Sequence, residues 1–209
     1  MALHALLVVR GQPLSSPPHP PPQASTWSAV DAALVSADIA VANFGLHWRD
    51  HGALALQLGR LADRLDAFTA ARRASRRGCA SARLAILVQT PPQHFPSTDG
   101  SGDFFRRPWL HVWRLKKALG RDPCERITTL HGPGWRNDVL EAVARRRPRV
   151  KILRIHHLLM PLHRLHINGE CTHWCWHSEL WKPAVDAFAR LVVGPHPTGR
   201  VVNNCTAFG

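Results

Sequence analysis

Apolar residues in this chain follow two rhythms. In residues 37–44 (ADIAVANF), 83–90 (RLAILVQT) and 149–155 (RVKILRI) they come in short dense runs. Runs of that length read as buried strands. Elsewhere they recur at steps of three and four. Leu54, Leu58, Leu61, Leu65 and Phe68 mark one helix face in this way. Residues 137–147 read as a second helix, ended by Pro148. Residues 178–192 read as a last helix with the stripe Leu180, Trp181, Ala184, Val185, Phe188 and Leu191. WLHVWRLKKAL suits a short helix, and RITTLH a weak strand or an extended segment. Pro91 and Pro92 stop the run at 83–90, because proline has no ladder donor. The opening MALHALLVVRGQPL is apolar without a basic start, which fits a core strand better than a signal peptide.

Strand–helix–strand alternation predicts an α/β fold, a three-layer parallel sheet with helices on both faces. In such folds ligands gather beyond the carboxyl ends of the strands. Asn43, the 90s loop and the 160s–170s loop all follow predicted strands, so they are expected at one sheet edge. The organisation reads as a strand-like start with a proline-rich linker (1–25), a domain over 26–193, and a loosely ordered tail (194–209).

Composition sharpens this picture. A hydrophobic content of 45% and eight tryptophans supply a core despite 17 prolines. The net charge is +13, carried by arginine far more than lysine, in clusters at Arg72–Arg73, Arg76–Arg77, Arg106–Arg107 and Arg145–Arg149. No aromatic residues interleave with these clusters and no nucleic-acid module surrounds them, so nucleic acid is not an expected partner. Acidic glycans or anionic membrane surfaces fit better. No apolar run reaches about 18 residues, so no segment of this chain is expected to span a membrane.

The chemistry concentrates in NGECTHWCWHSELW, residues 168–181. Cys171, His173, Cys175 and His177 alternate, with His163 and His166 nearby. These are zinc-type ligands, but zinc sites favour separated ligand pairs, and no metal is expected. The five cysteines, Cys79, Cys124, Cys171, Cys175 and Cys205, suit either two disulfides and a thiol or five thiols. Cys171 and Cys175 would each staple more chain by pairing with Cys79, Cys124 or Cys205 than with each other. A third reading makes His173 a general base whose ring is oriented by Glu170.

Three blocks in order carry a family resemblance. GECTHWCWHSELWKPAVDAFARLV resembles the end of the PC-esterase domain, found in trichome-birefringence-like polysaccharide O-acetyltransferases and relatives of the sialate O-acetyltransferase. That family ends in Asp-Cys-x-His-Trp-Cys. ADIAVANFGLHWRD is similar to its asparagine–glycine block, and LVQTPPQHFPSTDGSGDF to its middle block. The resemblance spans residues 37–192.

It implies a Ser-Gly-Asn-His (SGNH) hydrolase-like fold and serine-based acyl-ester chemistry. His173 would be the general base, Glu170 its partner and Asn43 an oxyanion donor. Gly45 would shape the loop and Trp174 would line the acceptor cleft, while His94 would position the 90s loop, line that cleft or serve the structure. It further implies a polysaccharide or glycoconjugate acceptor, an acetyl donor, no cofactor, and a Golgi or endomembrane setting with membrane attachment through an N-terminal anchor. Two departures stand out. Glu170 replaces the family aspartate. No Gly-Asp-Ser nucleophile block exists in the chain, and Ser15 and Ser16 follow the first apolar run without matching it. A chain that starts after its nucleophile, an incomplete gene model and a catalytically silent copy all stay open. The expected function is therefore an O-acetyltransferase or acetylesterase, or else a noncatalytic glycan-binding or structural remnant of that fold.

Overall fold

A computed structural model describes residues 6–10, 24–46, 48–71, 83–104, 109–128, 134–167, 170–175 and 177–193. Four strands, β1 (Leu6–Arg10), β2 (Ile39–Asn43), β3 (Leu84–Val88) and β4 (Val150–Leu153), form one sheet in the order β1-β2-β3-β4. All three pairings are parallel. The helices are α1 (Ala24–Ser36), α2 (His51–Ala70), α3 (Trp109–Ala118), α4 (Trp135–Arg145), α5 (His156–Leu159) and α6 (Ser178–Val193), with a 3-10 turn at His163–Leu165.

Side chains alternate across the strands, so each face has its own core. Ala40, Ala42, Ala85, Leu87 and Val150 pack with Trp27, Val30 and Leu34 of α1, the leucine stripe of α2, and Val139, Leu140 and Ala144 of α4. Ile39, Ile86 and Leu153 pack with Leu159 of α5 and with Leu180 and Ala184 of α6. This is the expected α/β arrangement, a parallel sheet with helices on both faces. Small residues on the first face let α2 approach closely. Its Leu54, Leu58 and Leu61 are wholly buried, each contributing about 1.5–3 kcal/mol of transfer free energy. Asp50 starts α2 as its N-cap, accepting from the Ala53 amide at 2.5 Å.

Basic residues fasten the helices. Arg147 and Arg149 pair with Asp63 and Asp66 of α2, and Arg64 pairs with Asp31 of α1. The cluster at 145–149 thus spends two guanidinium groups on structure.

Several expectations change. Helix α1 was not anticipated and begins inside the segment read as linker. Of the two readings of RITTLH, the strand is not formed by residues 126–128, and residues 129–131 lie outside the described residues. Val185, placed in the stripe of the last helix, is 58% exposed, because α6 turns Leu180, Ala184 and Phe188 inward instead. The membrane attachment implied by the resemblance is corrected too. None of the described helices is long and apolar enough to cross a membrane.

Candidate functional site

Parallel pairing brings the carboxyl ends of the strands to one edge. Arg10, Asn43 and Val88 are register partners, and Leu153 pairs with Val88. The Asn43 side-chain nitrogen donates to the carbonyls of Val88 (3.3 Å) and Gln89 (3.2 Å), clamping the ends of β2 and β3. Asn137 of α4 meets Thr90 twice, accepting from its amide at 2.8 Å and donating to its carbonyl at 3.0 Å. The amide side chain thereby stands in for a strand neighbour that β3 has lost at this point. Gly45 (φ +155°) lies where a Cβ would come within 2.6 Å of the Thr90 hydroxyl oxygen, so a side chain there would collide. Arg136 donates to the Trp48 carbonyl at 3.1 Å and pairs with Asp103 at 3.0 Å, tying the loop after β2 to the glycine-containing 90s–100s loop.

A second layer of loops lies beyond this edge. Disulfide Cys124–Cys171 joins segments 47 residues apart. Around it the His94 amide donates to the Cys171 carbonyl (2.9 Å), and the Glu125 amide donates to the His94 carbonyl (2.8 Å). Phe95 donates to Gly102, whose φ of +70° and closeness to the Gln93 carbonyl exclude any side chain. His94 is fully buried, with Nε2 2.9 Å from the Met160 carbonyl and Nδ1 2.7 Å from His166 Nε2. Burial lowers His94 to about 3 and His166 to about 4, and His156 of α5 likewise to about 4. Trp174 lies against His166 with ring centres 4.0 Å apart and meets His94 edge-on at 5.4 Å.

Glu170 and His173 form the outermost pair. Oε2 of Glu170 lies 2.5 Å from Nδ1 of His173, so the longer acid reaches the ring. The two side chains are 53% and 65% exposed. Between them Cys171, bonded to Cys124, adopts φ +58°, the only positive φ of a non-glycine among the described residues. The His173 carbonyl is fixed by the Ile167 amide (2.9 Å) and His166 Nδ1 (3.0 Å). With Nδ1 engaged, Nε2 is the nitrogen left for proton transfer.

The proposed site residues therefore fall into separate settings. Glu170 and His173 meet at the surface, whereas His94 and Trp174 belong to a packed cluster beneath. Asn43 and Gly45 sit at the strand ends, and no hydrogen bond or ring contact joins Asn43 to His173 among the described residues. Cys171 is consumed by its bond to Cys124, and Cys175 is a free, exposed thiol. Cys79, Cys205, Ser15 and Ser16 lie outside the described residues. Among the described residues no group of three or more His, Cys, Asp or Glu is placed to hold a metal ion. The bonding roles of Gln89, Asn137 and His166 were not anticipated. Gln89 accepts from the His156 amide at 3.2 Å and donates to Glu141 at 3.2 Å, joining β3, α5 and α4. A polar residue directly after an apolar strand was the available signal for Gln89. Nothing comparable marks His166.

No protein-family model matches the chain, and no curated protein matches it.

Proposed function

We propose that this chain is a noncatalytic, glycan-binding member of the SGNH-hydrolase-like folds, related to the PC-esterase domains, which keeps the base pair of an acyl-transfer site without its nucleophile block. Asn43 carries this reading. Its amide nitrogen is directed at two backbone carbonyls, so it serves the sheet edge rather than a developing oxyanion. His94, the middle-block histidine, is likewise buried and bonded rather than open to an acceptor. The absence of Gly-Asp-Ser from the sequence agrees with both. A net charge of +13 and the exposed Arg145 and Arg146 at the end of α4 favour an acidic polysaccharide as the ligand. A Golgi or other secretory setting accompanies the resemblance.

One observation favours the enzymatic alternative. Glu170 and His173 form an oriented acid–imidazole pair with Nε2 turned away from the acid, as a general base requires. In that reading a serine outside the described residues, Ser15 or Ser16 after β1, takes the acyl group from a donor. An acceptor hydroxyl or water then removes it.

A serine-reactive fluorophosphonate separates the two. The noncatalytic reading expects no labelling, together with salt-sensitive binding of an acidic polysaccharide such as polygalacturonate. Labelling that disappears in His173→Ala would establish the enzyme instead. Absence of both labelling and polysaccharide binding would sink the glycan assignment.

A further inference from the structure

Two buried rings beneath the Glu170–His173 pair make more contacts than two neutral imidazoles can satisfy. His94 Nε2 faces the Met160 carbonyl at 2.9 Å, and His166 Nδ1 faces the His173 carbonyl at 3.0 Å. A carbonyl only accepts, so each of these outer nitrogens must carry a proton to make its bond. The inner nitrogens, His94 Nδ1 and His166 Nε2, approach to 2.7 Å. Two lone pairs repel at that separation, so a bond there needs a proton between them. Two neutral imidazoles bring only two N–H protons to three contacts.

We infer that His94 and His166 form a proton-sharing pair that positions the backbone of the His173 loop. With a third proton all three bonds exist together, and the pair carries one positive charge. When that proton leaves to water, one ring must turn its remaining N–H inward. Either the Met160 carbonyl or the His173 carbonyl then loses its donor. The His173 carbonyl is the connection to the surface, because His166 Nδ1 and the Ile167 amide are its two donors.

The surroundings set when the third proton enters. His163, with its ring 6.2 Å from that of His94, opposes a positive charge on the pair, as does His156 of α5. His173 opposes it at His166, while Asp122 from the segment after α3 favours it. Trp174 packs against both rings. Burial acts in the same sense as the neighbouring histidines, so the third proton enters on the acid side. His94 and His166 are thus positioning residues for His173, acting through its carbonyl rather than its ring.

The test is imidazole NMR on the full chain labelled with ¹⁵N-histidine, and it reads neither glycan binding nor acyl transfer. At about pH 8 both rings should be neutral, with one inner nitrogen protonated and one outer nitrogen bare. Finding both outer nitrogens protonated and both inner ones bare would overturn the proposal, and this needs no acid titration. On lowering the pH, the two rings should gain one proton jointly at a single midpoint. The indole N–H of Trp174 should shift at the same midpoint. In His166→Gln that Trp174 shift should vanish while the helical circular dichroism is retained. Two separate midpoints, or a Trp174 shift that survives in His166→Gln, would also overturn it. Should His166→Gln fail to fold, the wild-type tautomers at neutral pH still decide.

Discussion

On the first face of the sheet, Leu54, Leu58, Leu61 and Leu65 are withdrawn from solvent against Ala40, Ala42, Ala85 and Leu87. Beyond the strand ends, His94 and Cys171 of the loops and Asn137 in the first turn of α4 are almost wholly buried. The sheet body is held by contact that has no preferred direction and scales with apolar area. The loop layer is held by directed bonds: a disulfide, an amide doubled against Thr90, and paired imidazoles. The first kind of structure tolerates repacking and fails by cavities. The second fails when a partner is removed or its protonation changes.

The largest effect should come from hollowing the sheet body. Leu61→Ala should cost about 2–5 kcal/mol, because a fully buried leucine between α2 and the sheet leaves a cavity. Urea unfolding followed by far-ultraviolet circular dichroism measures it. A loss below about 1 kcal/mol would mean that this face is far looser than its packing implies.

Next is the double variant Cys124→Ala/Cys171→Ala. Removing a link across 47 residues should cost about 2–4 kcal/mol. The helical signal should persist while the tryptophan near-ultraviolet signal changes, since Trp174 and Trp113 lie in or beside the loop layer. Equal loss of both signals would merge the two regions into one cooperative unit.

Acid should then act mainly on the loop layer. His94, His156 and His166 all have lowered pKa values, so between about 6.5 and about 4 the unfolded chain binds more protons than the folded one. Stability conferred by these neutral rings is therefore present above about pH 6.5 and is lost as the pH falls through about 4 for His156 and His166 and about 3 for His94. The slope is roughly 1.4 kcal/mol per pH unit for each excess proton. Denaturant midpoints across this range check the sign. A midpoint that rises on acidification would refute it.

The smallest effect should be Asp50→Ala at the N-cap of α2. It removes one side-chain bond to the Ala53 amide and should cost about 1 kcal/mol by the same urea measurement.

The same division explains which parts of the molecule are legible in its sequence. The α2 stripe and the dense strands were legible because apolar spacing is what builds them. Helix α1 had a readable signal in Trp27, Val30 and Leu34, but the preceding prolines drew the linker boundary too far along the chain. In the loop layer, the Glu170–His173 pairing was foreseeable from a three-residue spacing, and a distant partner for Cys171 from the geometry of short closures. Which distant cysteine it would be was not foreseeable, because Cys79, Cys124 and Cys205 all satisfy that argument. For His94 a cleft role and a structural role were both open, since a histidine between a proline-rich turn and a glycine-rich loop carries no mark of burial. Its partners come from segments more than 60 residues away, and no local pattern encodes them.

The strand order β1-β2-β3-β4 has one further consequence. Each strand hydrogen-bonds only to its predecessor and successor in the chain, and α1, α2 and α4, which precede β2, β3 and β4, lie on one face. Such a sheet grows by accretion, one strand–helix unit at a time. No late insertion of a strand between two already paired ones is required. Each pairing nonetheless joins distant parts of the chain, Leu6 with Ile39, Ile39 with Leu84 and Ala85 with Val150, and closing such long connections slows assembly. The loop layer, drawing together residues near 94, 124 and 171, closes only after the last of those units exists.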